Sequence, residues 1–153
     1  MRKYGAYILY LDVLSPLTLK AGPFKDTAVQ AGRYVYIGSA RGGIEGRIAR
    51  HRRLAEKKTG KLHWHIDYLL IHPQTRLTAY MELAGIGECD ISRQIASRRG
   101  VSAPVPSFGA SDCRFGCKAH LYYVGSDRKR FFRIASGQAI NNSQAVIKIR
   151  KEK

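Results

Sequence analysis

Seven residues, Tyr34-Val-Tyr-Ile-Gly-Ser-Ala40, narrow the choice of fold more than any other stretch of this 153-residue chain. β-Branched and aromatic residues run up to Gly38, which reads as a strand delivered into a tight turn. The turn, Ser39-Ala-Arg-Gly-Gly43, opens into Ile44-Glu-Gly-Arg-Ile-Ala-Arg-His-Arg-Arg53, and Ile44, Ile48 and Ala55 then recur at helical spacing over residues 44–57. Strand, glycine turn and basic helix in that order suit the approach of a phosphate, because a helix start presents free N–H groups beside the arginines. Any strand–turn–helix on a basic surface shares this pattern, so its meaning depends on its neighbours.

The neighbours predict one small domain over residues 1–153. Tyr4-Gly-Ala-Tyr-Ile-Leu-Tyr-Leu-Asp12 is a second aromatic-rich strand, covering about residues 4–13. Pro16, Gly22, Pro23 and Gly32 then mark a hairpin insert at about 14–33, with a short strand near Leu17–Leu19. After the basic helix, Thr59-Gly60-Lys61 breaks the chain. A helix over Leu62–Ile71 follows and must stop before Pro73. Thr75–Glu82 reads as a strand, Cys89–Arg98 as a helix, Gly100–Ser111 as a loop, and His120–Val124 with Arg130–Ile134 as a hairpin. A basic C-terminal extension, about 136–153, is weakly patterned and open between helix, strand and no fixed structure. The expected class is α/β (α+β): a mixed, mainly antiparallel sheet flanked by helices.

Charge narrows the partner. Twenty-seven Lys and Arg oppose eleven Asp and Glu, a formal +16 with a pI near 10.2, which favours nucleic acid over neutral small molecules. No apolar run approaches the ~20 residues of a membrane span, and Met1-Arg-Lys-Tyr-Gly5 leads straight into a strand without a secretory leader. Three cysteines, an odd number, argue against a secreted disulfide framework. The expected location is cytoplasmic.

Gly5-Ala6-Tyr7 and Tyr36-Ile37-Gly38, with Arg47 and His51 four apart on the following helix and Glu88 further on, resemble the GIY-YIG nuclease superfamily. Tyr36-Ile-Gly-Ser-Ala40, His63-Trp-His-Ile-Asp-Tyr-Leu-Leu70 and Glu88-Cys89 look more specifically like a branch found as stand-alone archaeal proteins and as an appendage to endonuclease III. The resemblance runs from about Tyr4 to Tyr123. It implies neighbouring strands for the two tripeptides and metal-dependent hydrolysis of DNA phosphodiesters, in DNA repair or processing. In that scheme Glu88 holds Mg²⁺ or Mn²⁺ and Arg47 grips the scissile phosphate. Tyr7 helps to activate the attacking water, Tyr36 orients water and phosphate, and His51 relays a proton or binds phosphate. Substrate contacts fall to Gly38, where backbone can come close, and to Arg50, Lys61 and His63.

Each role has a competing structural explanation. Glu88 suits a helix N-terminus, where negative charge is favoured. Arg47 is one of several helix arginines, and strand tyrosines commonly just pack. A phenol near pKa 10 is also a poor base unless a cation such as Arg47, Lys61 or a metal lowers it. His63, His65 and Asp67 would share one face of a strand as metal ligands do, but on a helix only His63 and Asp67 align, which favours a hydrogen-bonded structural pair. Cys113-x-x-x-Cys117-x-x-His120, with Cys89 as a fourth ligand, has loose spacing for zinc; unliganded buried cysteines or a Cys113–Cys117 disulfide are the competing readings.

The alternative to a nuclease is a nucleic-acid-binding module of the same fold that has lost its chemistry. Ala6 inside the first tripeptide, the 29 positions between Tyr7 and Tyr36, and Ser111-Asp112 where a late asparagine is expected all favour it. An RNA-associated protein, supported by charge alone, is a more remote third.

Overall fold

A computed structural model describes residues 5–111, 113–127 and 145–149. Its main sheet has five strands: β1 (Gly5–Val13), β4 (Gly32–Ala40), β5 (Thr75–Ala84), β6 (Leu121–Gly125) and β7 (Ala145–Ile149). They lie in the order β6-β4-β1-β5-β7, and every pairing is antiparallel. The expected mixed sheet is therefore wholly antiparallel among the described residues. Between β1 and β4 the insert forms a small hairpin, β2 (Leu17–Thr18) against β3 (Ala28–Val29).

Three helices cover the sheet: α1 (Ile44–Lys57), α2 (His65–Leu70) and α3 (Glu88–Ala96). Alternation along β1 splits its side chains between two apolar layers. Tyr7, Leu9, Leu11 and Val13 pack with Ile44, Ile48 and Leu54 of α1 and Ile66, Leu69 and Leu70 of α2. On the opposite face, Ala6, Ile8 and Tyr10 pack with Ile91 and Ile95 of α3 and Tyr122 and Val124 of β6. Covered on both faces and paired on both edges, β1 is the buried centre of the protein.

The second helix is shorter than its sequence suggests. Trp64 is extended, and the Asp67 carboxylate accepts the His63 and Trp64 N–H groups at 2.7 and 2.9 Å, so the helix begins only at His65. A side chain that bonds nearby backbone in this way competes with helix at its own N-terminal side. Gly60 takes a φ of 147°, and a Cβ there would sit 2.8 Å from Leu54 Cδ2, so the break after α1 requires glycine. Just after α1, Lys58 donates its ammonium to the carbonyls of Leu70 and Thr75 at 2.8 and 2.6 Å.

The segment 145–149 extends the sheet as β7 against β5. The expected strand at Arg130–Ile134, most of the 136–153 extension and Asp112 lie outside the described residues.

Candidate functional site

Tyr7 is directly opposite Gly38 on β4 and Glu82 on β5. Tyr36 is two residues from Gly38, which makes the two phenols diagonal neighbours on the face covered by α1. A Cβ at Gly38 would collide with Cζ and Oη of Tyr7. Gly38 therefore makes room for the phenol, a more local duty than admitting substrate backbone. Glu82, which the sequence reading passed over, places a buried carboxyl beside the same strand position.

Helix α1 brings His51 over the sheet with no exposed surface, its Nε2 2.7 Å from Tyr7 Oη and its Nδ1 3.8 Å from Asp67 Oδ1. The carboxylate favours the tautomer protonated at Nδ1, so the Tyr7 hydroxyl donates to Nε2. Burial brings the imidazole down to about 4, against an upward pull from Asp67 and a further downward one from Arg50 and Arg47. In the folded protein His51 is thus neutral where an unfolded histidine is half-charged. The unfolded chain binds the extra proton, so stability is full above about pH 6.5 and falls as the pH drops toward 4, by on the order of 3 kcal/mol from this group. Urea titrations from pH 7 to 4 are expected to show this slope, and His51→Gln should flatten it. An unchanged slope in the variant would assign the acid lability to other groups.

Burial pushes the Tyr7 phenol well above its ordinary value. Arg47, by charge and hydrogen bond, offsets only part of the rise, while Glu88 and Asp67 add to it. Tyr36 is raised by burial, then by Tyr7, Glu88 and Asp67, with Arg47 again opposing. Arg47 by itself does not offset the burial of either phenol, so both tyrosines stay protonated at neutral pH in the protein alone. The Arg47 guanidinium and the Glu88 carboxylate thus oppose each other at both phenols.

Arg50, read in the sequence as a substrate contact, is held by a carboxylate within the protein. Its Nη1 and Nη2 each donate to one oxygen of Asp67 at 2.8 Å, and Nη2 also reaches the Lys61 carbonyl at 2.8 Å. This fork joins α1 to the start of α2. Asp67 has no exposed surface; burial opposes its ionisation, but Arg50 and the His63 and Trp64 N–H groups outweigh that and hold its carboxyl below the usual range. Lys61 and His63 contribute backbone to this clamp, and the exposed His63 ring packs edge-on to Trp64 with centroids 4.5 Å apart. The expected His63–Asp67 pairing is therefore made through the His63 backbone, while His65 Nδ1 accepts the Gly109 N–H at 2.8 Å. Arg47 and Arg50 both stack on Trp64, with Cζ 4.1 and 4.7 Å from the ring centroid.

Glu88 is the first residue of α3, its side chain 31% exposed. It lines a cleft of about 860 Å³ at the end of the sheet where β1 begins and β4 ends; Gly5, Ser39, Arg41, Arg93, Arg114 and Phe115 share the wall. Arg41 belongs to the glycine turn already read as suited to a phosphate, whereas Arg93, Arg114 and Phe115, 71% exposed, carried no periodic or motif signal in the sequence. Beside Glu88, Cys89, Cys113, Cys117 and His120 bring one donor atom each to within 4.8 Å of the others, close enough to hold a metal ion. All three cysteines are free thiols, so the Cys113–Cys117 disulfide is absent.

An antiparallel α+β domain is the class this geometry defines, with Tyr7 and Tyr36 buried in the layer under α1 and Glu88 on the wall of a cleft that Tyr7, Tyr36 and Arg47 do not line. The chain belongs to the family described as a domain of unknown function, DUF123, whose profile matches residues 6–141. Neither the curated proteins nor the solved structures include a match. No helix among the described residues is long and apolar enough to cross a membrane.

Proposed function

We propose that this protein is a metal-dependent endonuclease that hydrolyses DNA phosphodiester bonds at a GIY-YIG-like site, in DNA repair or processing. The observation that supports the reading is geometric: Tyr7, bonded to His51 and diagonal to Tyr36, lies on the strand whose first residue, Gly5, lines the cleft that holds Glu88, Arg41, Arg93 and Arg114. Arg47, braced on Trp64, presents a planar fork of donors to a phosphate. The cleft arginines bind the flanking backbone, and Phe115 offers a face on which an unpaired base stacks.

Glu88 fits a hard divalent cation. It shares an open wall with Asp90, which pairs with Arg93 at 3.7 Å, so Glu88 offers one carboxylate and leaves the other positions to water and substrate oxygens, which is how Mg²⁺ and Mn²⁺ are usually held. Bound there, such an ion would neutralise charge on the phosphate and the leaving oxygen. The chain supplies the proton path: Tyr7 accepts from the attacking water as it passes its own proton to His51 Nε2, and Asp67 stabilises the imidazolium that forms. With the phenol raised and the imidazole lowered, no tyrosinate stands ready beforehand, so these transfers occur together with attack at phosphorus.

One observation favours the binding-only alternative: Tyr7 and Tyr36 are only 2% and 6% exposed, so water has little access to either. Branched, nicked and single-stranded DNA incubated with the protein and Mg²⁺ or Mn²⁺ separate the two. A nuclease cuts at least one substrate, and Glu88→Gln lowers the rate by about 10²-fold or more while affinity stays within a few-fold. Binding that weakens steeply with salt but never leads to cleavage identifies the silent module. Cleavage undiminished in Glu88→Gln removes Glu88 from the mechanism.

A further inference from the structure

Cys89 is the second residue of α3, Cys113 and Cys117 lie in the loop leading to β6, and His120 immediately precedes β6. The Cys89 and Cys113 sulfurs are 3.5 Å apart, and Cys89 Sγ is 3.9 Å from His120 Nε2. A tetrahedron with Zn–S near 2.3 Å and Zn–N near 2.0 Å has S···S edges of about 3.8 Å and S···N edges of about 3.6 Å. We propose that Cys89, Cys113, Cys117 and His120 hold one zinc ion in a closed structural site that pins the start of α3 to the loop before β6.

His120 gives independent support. Its ring is 2% exposed, Nε2 faces the sulfurs, and Nδ1 has no hydrogen-bond partner, with Glu88 Oε2 the nearby carboxylate oxygen at 3.7 Å. A carboxylate behind the far nitrogen of a histidine is the usual arrangement around a metal-bound imidazole, where it fixes the ring and raises its basicity. The backbone locks the ring in place: the His120 N–H donates to the Phe108 carbonyl at 2.8 Å, and its own carbonyl accepts the Ile37 N–H at 2.9 Å. Cys113 Sγ also accepts the Phe115 N–H at 3.4 Å, a contact that stabilises a thiolate.

Other occupants fit less well. A disulfide needs sulfurs about 2.05 Å apart; joining any two of the three would strand the third thiol against a buried histidine. The four donors are too close together to enclose a multi-iron cluster with its bridging sulfides. Four protein ligands complete the zinc tetrahedron and leave no open position for water, which marks a structural rather than catalytic ion. On binding, the ion takes the place of the thiol protons, which pass to solvent. The inference does not rest on the nuclease reading, because it needs neither phenol nor DNA.

The full chain, produced in zinc-supplemented medium and purified without chelator, is expected to carry one zinc per chain and three titratable thiols once unfolded. Cobalt added to the metal-free protein should give the visible absorption of a tetrahedral thiolate site. Cys117→Ser and His120→Asn should each weaken cobalt binding by at least about tenfold. Because a cysteine variant can fail to fold, the wild-type chain is also heated with and without a strong chelator, and removal of zinc should lower its melting temperature. Purification without zinc, with iron in its place, or at a mass two hydrogens lighter because of a disulfide overturns the proposal; so does a melting temperature indifferent to the chelator.

Discussion

Asp67→Ala is expected to lower the unfolding free energy by about 3 kcal/mol. Breaking a buried ion pair by removing one partner costs roughly 3–5 kcal/mol because the other charge is left uncompensated. The lower end applies because Arg50 keeps 24% of its side chain in solvent and can partly rehydrate. Four hydrogen bonds are lost together, from Arg50 Nη1 and Nη2 and from the N–H groups of His63 and Trp64, and Arg50 Nη2 keeps only the Lys61 carbonyl. Trp64, the chain's single tryptophan, lies within this clamp, so its fluorescence follows urea unfolding directly. Asp67→Asn, which keeps the shape but loses the charge, should fall between wild type and alanine. A loss below about 1 kcal/mol in the alanine variant would mean that α2 holds to α1 by apolar packing alone.

Tyr7→Phe is the decisive change for the proposed chemistry. It keeps the ring that fills the space over Gly38 and removes only the hydroxyl facing His51. A proton-transferring group contributes about 10²–10⁴-fold to rate, so cleavage should fall by that much with DNA affinity unchanged. The same substitution leaves His51 Nε2 without its partner and costs about 1–3 kcal/mol of stability, so rates must be compared at temperatures where both proteins are fully folded. A Tyr7→Phe protein that cuts DNA at the wild-type rate sinks the proton path proposed here.

What the sequence revealed and what it concealed divide along local and distant interactions. The first strand, the strand at Tyr34 and the helix Ile44–Lys57 are legible because period-two and 3.6-residue patterns are written into adjacent residues. His51 lies on the stripe Ile44, Ile48, Ala55, and that spacing already marks it as buried, although it reads more naturally as a flank residue beside arginines. The late start of α2 was hidden because it depends on Asp67 bonding backwards to Trp64 and His63. Arg50 and Asp67 are 17 positions apart, and Cys89 precedes Cys113 by 24, so nothing local announces either grouping. The proposed zinc pattern looked loose because one ligand comes from α3 and the other three from the loop before β6, and spacing motifs register only ligands that are close in the chain.

The placement of Tyr7 on β1 limits how the site can be controlled. A strand bonded along both edges and roofed on both faces belongs to the part of a protein that opens only when the whole chain opens. The phenol is therefore a fixed datum against which other parts are measured. Any adjustment of the proposed activity must come from groups outside that strand: the arginine carried by α1, the carboxylate at the start of α3, and Arg114 and Phe115 before β6. Breathing of the central strand cannot serve as a switch, because whatever frees that hydroxyl also dissolves the domain.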